Sequence, residues 1–387
     1  MSRIDELIAE HCPEGVEFLS LGELLDYSQP GKYLVKSTAY DTSFNTPVLT
    51  AGQTFILGYT NEVEGIYRAS SYEPVVIFDD FTTAFKWVDF DFKAKSSAMK
   101  MLTPKPGVNL RYVWFAMQTI SYSPQDHARQ WIGTYSQFRI PVPPLEVQRA
   151  IVEVLDTFSK LEAELEAELE ARKQQYEHYR AELLASVESA ELSTLGAISS
   201  KVSSGGTPSS GNASYYGGDI PWLRTQEVDF DVVTSTGVSI TEAGLKNSSA
   251  KWIPENCVIV AMYGATAAKV AINAIPLTTN QACCNLQIND SIAEYRYVFH
   301  WVSNQYEKLK SLGEGSQSNL NAKKVKDFPI PVPPLDEQRR IVTILDKFDA
   351  LVNDLSIGLP AELTARRQQY EYYRDKLLTF KELGVKA

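Results

Sequence analysis

Hydrophobic positions along the chain follow two periods. In residues 46–60 (TPVLTAGQTFILGYT), 74–82 (PVVIFDDFT) and 85–92 (FKWVDFDF), β-branched and aromatic residues crowd into short runs. Gly, Asp and Thr bound these runs, which predicts strands and turns. The same texture returns in 219–228 (DIPWLRTQEV), 252–273 (WIPENCVIVAMYGATAAKVAIN) and 280–288 (NQACCNLQI). Short helices are expected at 112–122 and 295–312. Elsewhere the period lengthens. Ile151, Val154, Leu155, Phe158, Leu165, Leu169, Tyr176, Tyr179 and Leu183 have the spacing of a coiled-coil face.

The chain carries one plan twice. Residues 139–158 (RIPVPPLEVQRAIVEVLDTF) and 329–348 (PIPVPPLDEQRRIVTILDKF) are identical at 13 of 20 positions. Residues 171–184 (ARKQQYEHYRAELL) return as 365–378 (ARRQQYEYYRDKLL), and a weaker pair, LSLGEL at 19–24 and LSTLGAI at 192–198, opens each half. Four segments follow: a first reading head (1–143), a first helical spacer (144–190), a second head (191–334) and a second spacer (335–387). The heads share almost nothing, while the spacers nearly coincide. That contrast suggests interchangeable heads on a repeated frame.

PVPPL cannot be helical, because proline lacks an N–H and restricts the residue before it. Helix is expected just after it, with Glu146 or Asp336 favouring the positive end of the helix dipole. Within the first spacer a tetrad recurs as LEAE, LEAE and LEAR (161–172); the second has leucines at 351, 355, 359 and 363. One tetrad adds about 6 Å of helix with little rotation. The first helix is expected to run unbroken for about 40 residues, or about 60 Å. Gly358 and Pro360 predict a break in the second. The expected packing set is Leu155, Phe158, Leu165, Leu169, Tyr176, Tyr179 and Leu183 against Leu345, Phe348, Leu351, Leu355, Tyr370, Tyr373 and Leu377. The economical arrangement is antiparallel, with heads at opposite ends, an approximate two-fold axis and the termini together. The expected fold class is mixed α/β (α+β): two globular heads joined by two long antiparallel coiled-coil helices.

The net charge of −11 argues against nucleic-acid binding until it is located. Residues 144–190 hold 5 Lys and Arg against 11 Asp and Glu, whereas 13–143 and 191–334 are nearly balanced. Most of the acidity therefore belongs to a solvated helix, and either head can still present a basic face. Candidate DNA contacts lie in polar loops. In the first head they are Lys32, Tyr33, Lys36, Tyr59, Thr60, Thr82, Thr83, Lys86, Arg129 and Gln130. In the second they are Ser204, Gly205, Gly206, Thr207, Arg224, Thr225, Gln226, Tyr263, Thr266, Lys269, Gln317, Asn319 and Lys323. Arg, Lys, Asn and Gln pair with base edges, and small residues let a loop approach a phosphate backbone.

Catalytic chemistry is not suggested. No P-loop, Asn-Pro-Pro-aromatic methylation motif or glycine-rich nucleotide loop occurs. Asp79–Asp80 lacks nuclease spacing and fits a turn. The histidines at 11, 127, 178 and 300 form no metal set, and His178, in the place of Tyr372, is expected to pack. Cys12, Cys257, Cys283 and Cys284 show no CxxC spacing and read as reduced and structural. No apolar run approaches the roughly 18–20 residues of a membrane span, and the amphipathic start lacks signal-peptide features, so the cytoplasm is the default location. A free-standing DNA-binding protein, a modifying enzyme and a coiled-coil scaffold remain alternatives on composition alone.

The paired IPVPPLxxQR…LxxF and R[KR]QQYE[HY]YR segments, the leucine tetrads, and the LGYT…VVIFDDFTT and IVAMYGATAAKVAI…TNQACC runs resemble the specificity subunit of type I restriction-modification enzymes over nearly the whole chain. The resemblance implies two target-recognition domains, each reading half of an asymmetric bipartite site on double-stranded DNA. It implies that the helices set the spacer and dock two methylation subunits, which carry S-adenosylmethionine. Motor-nuclease restriction subunits using ATP and Mg2+ would join them, and this chain would hold no cofactor or catalytic residue.

Overall fold

A computed structural model describes residues 3–52, 54–314, 319–354 and 356–384. Two compact units emerge, one of residues up to Leu165 together with those from Leu363 onward, the other of Glu166–Glu362. Each unit combines one head with parts of the helical frame. The expected packing residue Leu355 and the candidate Gln317 lie outside the described residues.

In the first unit the head is built on an antiparallel sheet in the order Leu25–Ser28, Met99–Pro104, Val75–Asp79, Phe85–Val88. A smaller sheet joins Ile56–Thr60, Thr46–Leu49 and Lys93–Ala94. The run VVIF is apolar without interruption because its strand is covered on both faces. Val76 and Phe78 enter one core with Leu102, and Val75 and Ile77 enter another with Val88 and Met101. In the second unit a five-stranded sheet runs Ser199–Ser204, Cys283–Ile288, Val258–Ala261, Val270–Asn273, Val232–Val233, beside a four-stranded one. The same logic repeats there: Val258 and Val260 face one core, Ile259 and Ala261 the other. No helix among the described residues is long and apolar enough to cross a membrane.

The frame repeats its local chemistry. Glu17–Ser20 pairs with Arg139–Val142, and Leu192–Thr194 with Pro329–Pro331. The glutamine of each PPLxxQ segment folds back on the proline run: Gln148 Nε2 donates to the Pro143 carbonyl at 2.7 Å, and Gln338 Nε2 to that of Pro333 at 2.8 Å. Both glutamines are buried, so these bonds also satisfy amides that burial would otherwise penalise. Past the prolines the chain enters the first spacer helix, Leu145–Ala185, continuous over 41 residues. The second begins as Leu335–Asn353.

The expected break is present. Asp354 Oδ1 accepts the backbone N–H of Ser356 and of Ile357, and a terminal helix restarts at Leu359–Leu377. Gly358 is required by close approach, since a Cβ there would lie 2.4 Å from the Ala350 carbonyl oxygen. One packing expectation fails at this point. Leu351 is 37% exposed, and its neighbour Val352, 1% exposed, takes the core position instead. The helix ends two residues later, at Asn353, and Val352 rather than Leu351 falls on the inner face of its last turn.

Aromatic clasps bind the helices within each unit. In the first, Phe158 stacks on Tyr373 with centroids 5.5 Å apart and meets Tyr370 at 6.5 Å, while Glu162 pairs with Arg367. Contacts that climb one helix while descending the other make this pairing antiparallel. In the second unit Phe348, the counterpart of Phe158, stacks on Tyr176 and Tyr179, the counterparts of Tyr370 and Tyr373. Leu155 and Leu345 are fully buried, Leu377 is 8% exposed, and Leu165, Leu169 and Leu183 are half-buried. The two ends of the chain meet inside the first unit, where Val16 N–H donates to Lys381 and Leu383 N–H donates back to Val16, each at 2.9 Å. His178 does not pack as expected. It stands largely exposed, with Glu182 one turn away, because its face of the helix points to solvent.

Candidate nucleic-acid interface

The second head draws its candidate loops together. Gly206 N–H donates to the Thr279 carbonyl at 2.9 Å, and Asn280 N–H donates to Leu223, just before Arg224. Thr207 is tied to Gln281. The Thr266 hydroxyl donates to the Thr225 carbonyl at 2.8 Å, and Gly264 N–H approaches Asn319 Oδ1 at 3.4 Å. Four loops, around 204–207, 224–226, 263–266 and 319, therefore converge. Gly205 and Gly206 have a structural reason to be glycine: a Cβ would fall 1.8 Å from the Thr279 carbonyl oxygen or 2.3 Å from Ala250 N. They shape the surface rather than face outward. Ser204, Thr207, Gln226, Tyr263, Asn319 and Lys323 are exposed. Arg224 is partly neutralised by Glu227 at 3.3 Å, and Lys269 by Asp229 at 2.5 Å.

The first head gathers its candidates in two groups. Around Glu62, Lys36 N–H donates to Oε1 at 2.8 Å, and Thr60 Oγ1 accepts the Glu62 N–H. Burial pushes the Glu62 carboxyl up, but Lys93 at 2.9 Å and two backbone N–H donors outweigh it and hold it below its ordinary range. Lys32 and Lys36 are exposed, Tyr33 stands edge-on to Tyr67, Tyr59 is half-buried, and Thr60 is 1% exposed. The second group forms at the end of the central strand. Asp79 Oδ1 accepts the N–H of Phe81 and of Thr82, which makes the acidic pair a turn. Asp80 is buried, accepts Trp131 N–H at 2.8 Å, and pairs with Lys100 at 3.0 Å. The Asp80 carbonyl also accepts Gln130 N–H at 2.8 Å, just as Met262 in the second head accepts Leu320 N–H. Thr82 and Arg129 are exposed there, and Lys86 is half-buried on its strand. Thr83 and Gln130 are turned inward, and Gln130 spends its side chain on Tyr122, Asp126 and Ala128.

The sequence-derived set lacks the residues that join head to frame. Arg111 pairs with Asp156 at 2.6 Å, and Arg296 with Asp346 at 2.5 Å. His300, fully buried, places Nε2 2.8 Å from Asp346 and Nδ1 3.5 Å from the Tyr176 hydroxyl. Burial pushes the Tyr176 phenol up to about 12, so it stays protonated and can donate to that ring. A signal was available, since Arg-Tyr-Val occurs at both 111–113 and 296–298. The four cysteines are free and buried; burial pushes Cys283 and Cys284 up to about 12, away from thiolate chemistry.

Two divergent heads with polar loop clusters, on a frame built twice from the same bonds, define a recognition protein. The profile of the type I restriction modification DNA specificity domain matches residues 13–171 and again 188–365. The chain belongs to that family: it is a specificity subunit that determines DNA target recognition in a type I restriction-modification enzyme, and it is itself non-catalytic. It is 46% identical to the Escherichia coli type I restriction enzyme EcoR124I/EcoR124II specificity subunit over 385 residues, covering 94% of both chains. A putative type I specificity subunit of Haemophilus influenzae is 28% identical, over 94% of this chain and 96% of that one. In fold the chain is similar to the crystal structure of a type I restriction-modification S subunit from M. genitalium, with TM-score 0.61 at 14% identity, over 94% of this chain and 96% of that one.

Proposed function

We propose that each head reads one half of an asymmetric bipartite site on double-stranded DNA, and that the spacer helices set the distance between the halves. The supporting observation is the repeat itself: both heads are mounted through the same strand pair, the same glutamine lock and the same aromatic clasp, yet present unrelated loops. Exposed Lys32, Lys36, Arg129, Gln226, Asn319 and Lys323 contact phosphates and base edges. The helices dock two methylation subunits carrying S-adenosylmethionine, and restriction subunits using ATP and Mg2+ join to cleave unmodified DNA in the cytoplasm. Mapping methylated adenines in DNA of a host expressing this chain with its methylation subunit tests the reading. Two short conserved elements separated by a fixed number of unspecified bases are expected. A single contiguous motif, or failure of the chain to co-purify with a methylation subunit, overturns it.

A further inference from the structure

Both heads keep Arg-Tyr-Val although their sequences otherwise diverge, and in both units the three residues make one arrangement. Arg111 Nε donates to Asp156 Oδ1 at 2.7 Å, and Arg296 Nε lies 2.5 Å from Asp346 Oδ2. The Tyr112 hydroxyl donates to the Pro141 carbonyl and the Tyr297 hydroxyl to that of Pro331, both at 2.9 Å. Val113 and Val298 are buried in the cores beneath. Asp156 and Asp346 share one place in the LDxF motif of the spacers, and Pro141 and Pro331 share one place in the IPVPP strand that ends each head. In the first unit two guanidinium nitrogens meet Asp156 Oδ1, which fixes orientation as well as distance, whereas in the second Arg296 and Asp346 form a close ion pair without an aligned hydrogen bond. The tyrosine bond ties the arginine's helix to the strand that leads into the spacer, a second contact on a different element.

The fifth residue of each segment completes the joint differently. In the first unit Phe115 stands with Trp87 and Trp114 around the Arg111 guanidinium, whose carbon lies 4.4–5.0 Å from the three ring centroids. In the second His300 occupies the place of Phe115 and bonds Asp346 itself. One joint holds the arginine from behind, and the other holds the carboxylate from a second side.

We propose that Arg111–Asp156 and Arg296–Asp346 are positioning residues that set the pose of each head on its own spacer helix, and thereby the spacer lengths that the subunit accepts. This rests on the bipartite reading proposed above. The test uses the full chain assembled with its methylation subunit, on duplexes carrying both half-sites at the native spacer and at one base pair more or less. Asp156→Asn is expected to reduce discrimination between native and altered spacers by about tenfold, the worth of one charge-assisted bond. Base preference within each half-site should stay unchanged, and Asp156→Glu should restore most of the discrimination. Arg111→Lys, which keeps the charge but loses the fork, provides the same readout if the asparagine variant does not fold. Unchanged spacer discrimination overturns the proposal, as does equal loss of base preference in both half-sites, which marks a merely structural pair. Deleting residues 165–168 in parallel separates the two ideas. If that deletion leaves the spacer unaltered, the bipartite ruler fails; if it moves the spacer while the joint variants discriminate normally, only the joint fails.

Discussion

Lys93 and Lys100 are each no more than 1% exposed, a rare condition for lysine, and each is paired: Lys93 with Glu62, Lys100 with Asp80. The Lys100 pair lies beneath the turn that carries Thr82 and beside the loop that carries Arg129. Removing one partner leaves the other charged and buried, so Lys100→Met should destabilise the first head by about 3–5 kcal/mol. Thermal unfolding checks this, and a loss near zero would show that the pair is not needed. Asp346 gives a pH dependence. Burial raises its carboxyl, but the His300 and Arg296 bonds prevail and hold it below the ordinary value. Its contribution is therefore present above the unfolded carboxylate range and is lost as pH falls through the lowered folded value. Stability of Asp346→Asn should accordingly fall less steeply than the parent's below about pH 4. At this scale the sequence was least legible. Thr60 and Gln130 have the residue types of a DNA-contacting loop, yet they are buried and organise it. Nothing in their spacing records that, because loop burial depends on contacts made between distant segments.

The helical elements were far more legible. Proline chemistry ended the connector, periodicity placed the helix Leu145–Ala185, and Gly358 marked the break. The fine phase was not readable at Leu351, where Val352 takes the inner position. The strands were legible as apolar runs, but their pairing order was not, since runs covered on both faces carry no register signal. The aromatic clasps account for the tyrosines in the QQYE[HY]Y segments. Phe348→Ala removes the ring on which Tyr176 and Tyr179 stack, and should cost about 2 kcal/mol. The outward-facing Tyr372→Ala should cost almost nothing by comparison. Denaturant unfolding of the two variants checks the contrast, and equal losses would remove the clasp from the account.

For the whole molecule, the charge distribution settles an apparent conflict. A chain of net charge −11 still binds DNA if its acidity lies on the spacer while the loop clusters expose cations. Binding by the assembled complex should therefore weaken steeply with salt. Substituting Lys323 by Ala should lower that slope without changing the bases preferred, as a phosphate contact would. A change in base preference would instead make Lys323 a reader. The duplication made the repeated local frame visible in the sequence, since the strand pair, the glutamine lock and the aromatic clasp recur in both units. The most direct measurement removes one tetrad, residues 165–168, and maps methylated adenines against the parent. Shortening the helix by about 6 Å should leave both half-site sequences intact and shorten the spacer by one or two base pairs. An unaltered spacer, or new half-site sequences, would contradict the account.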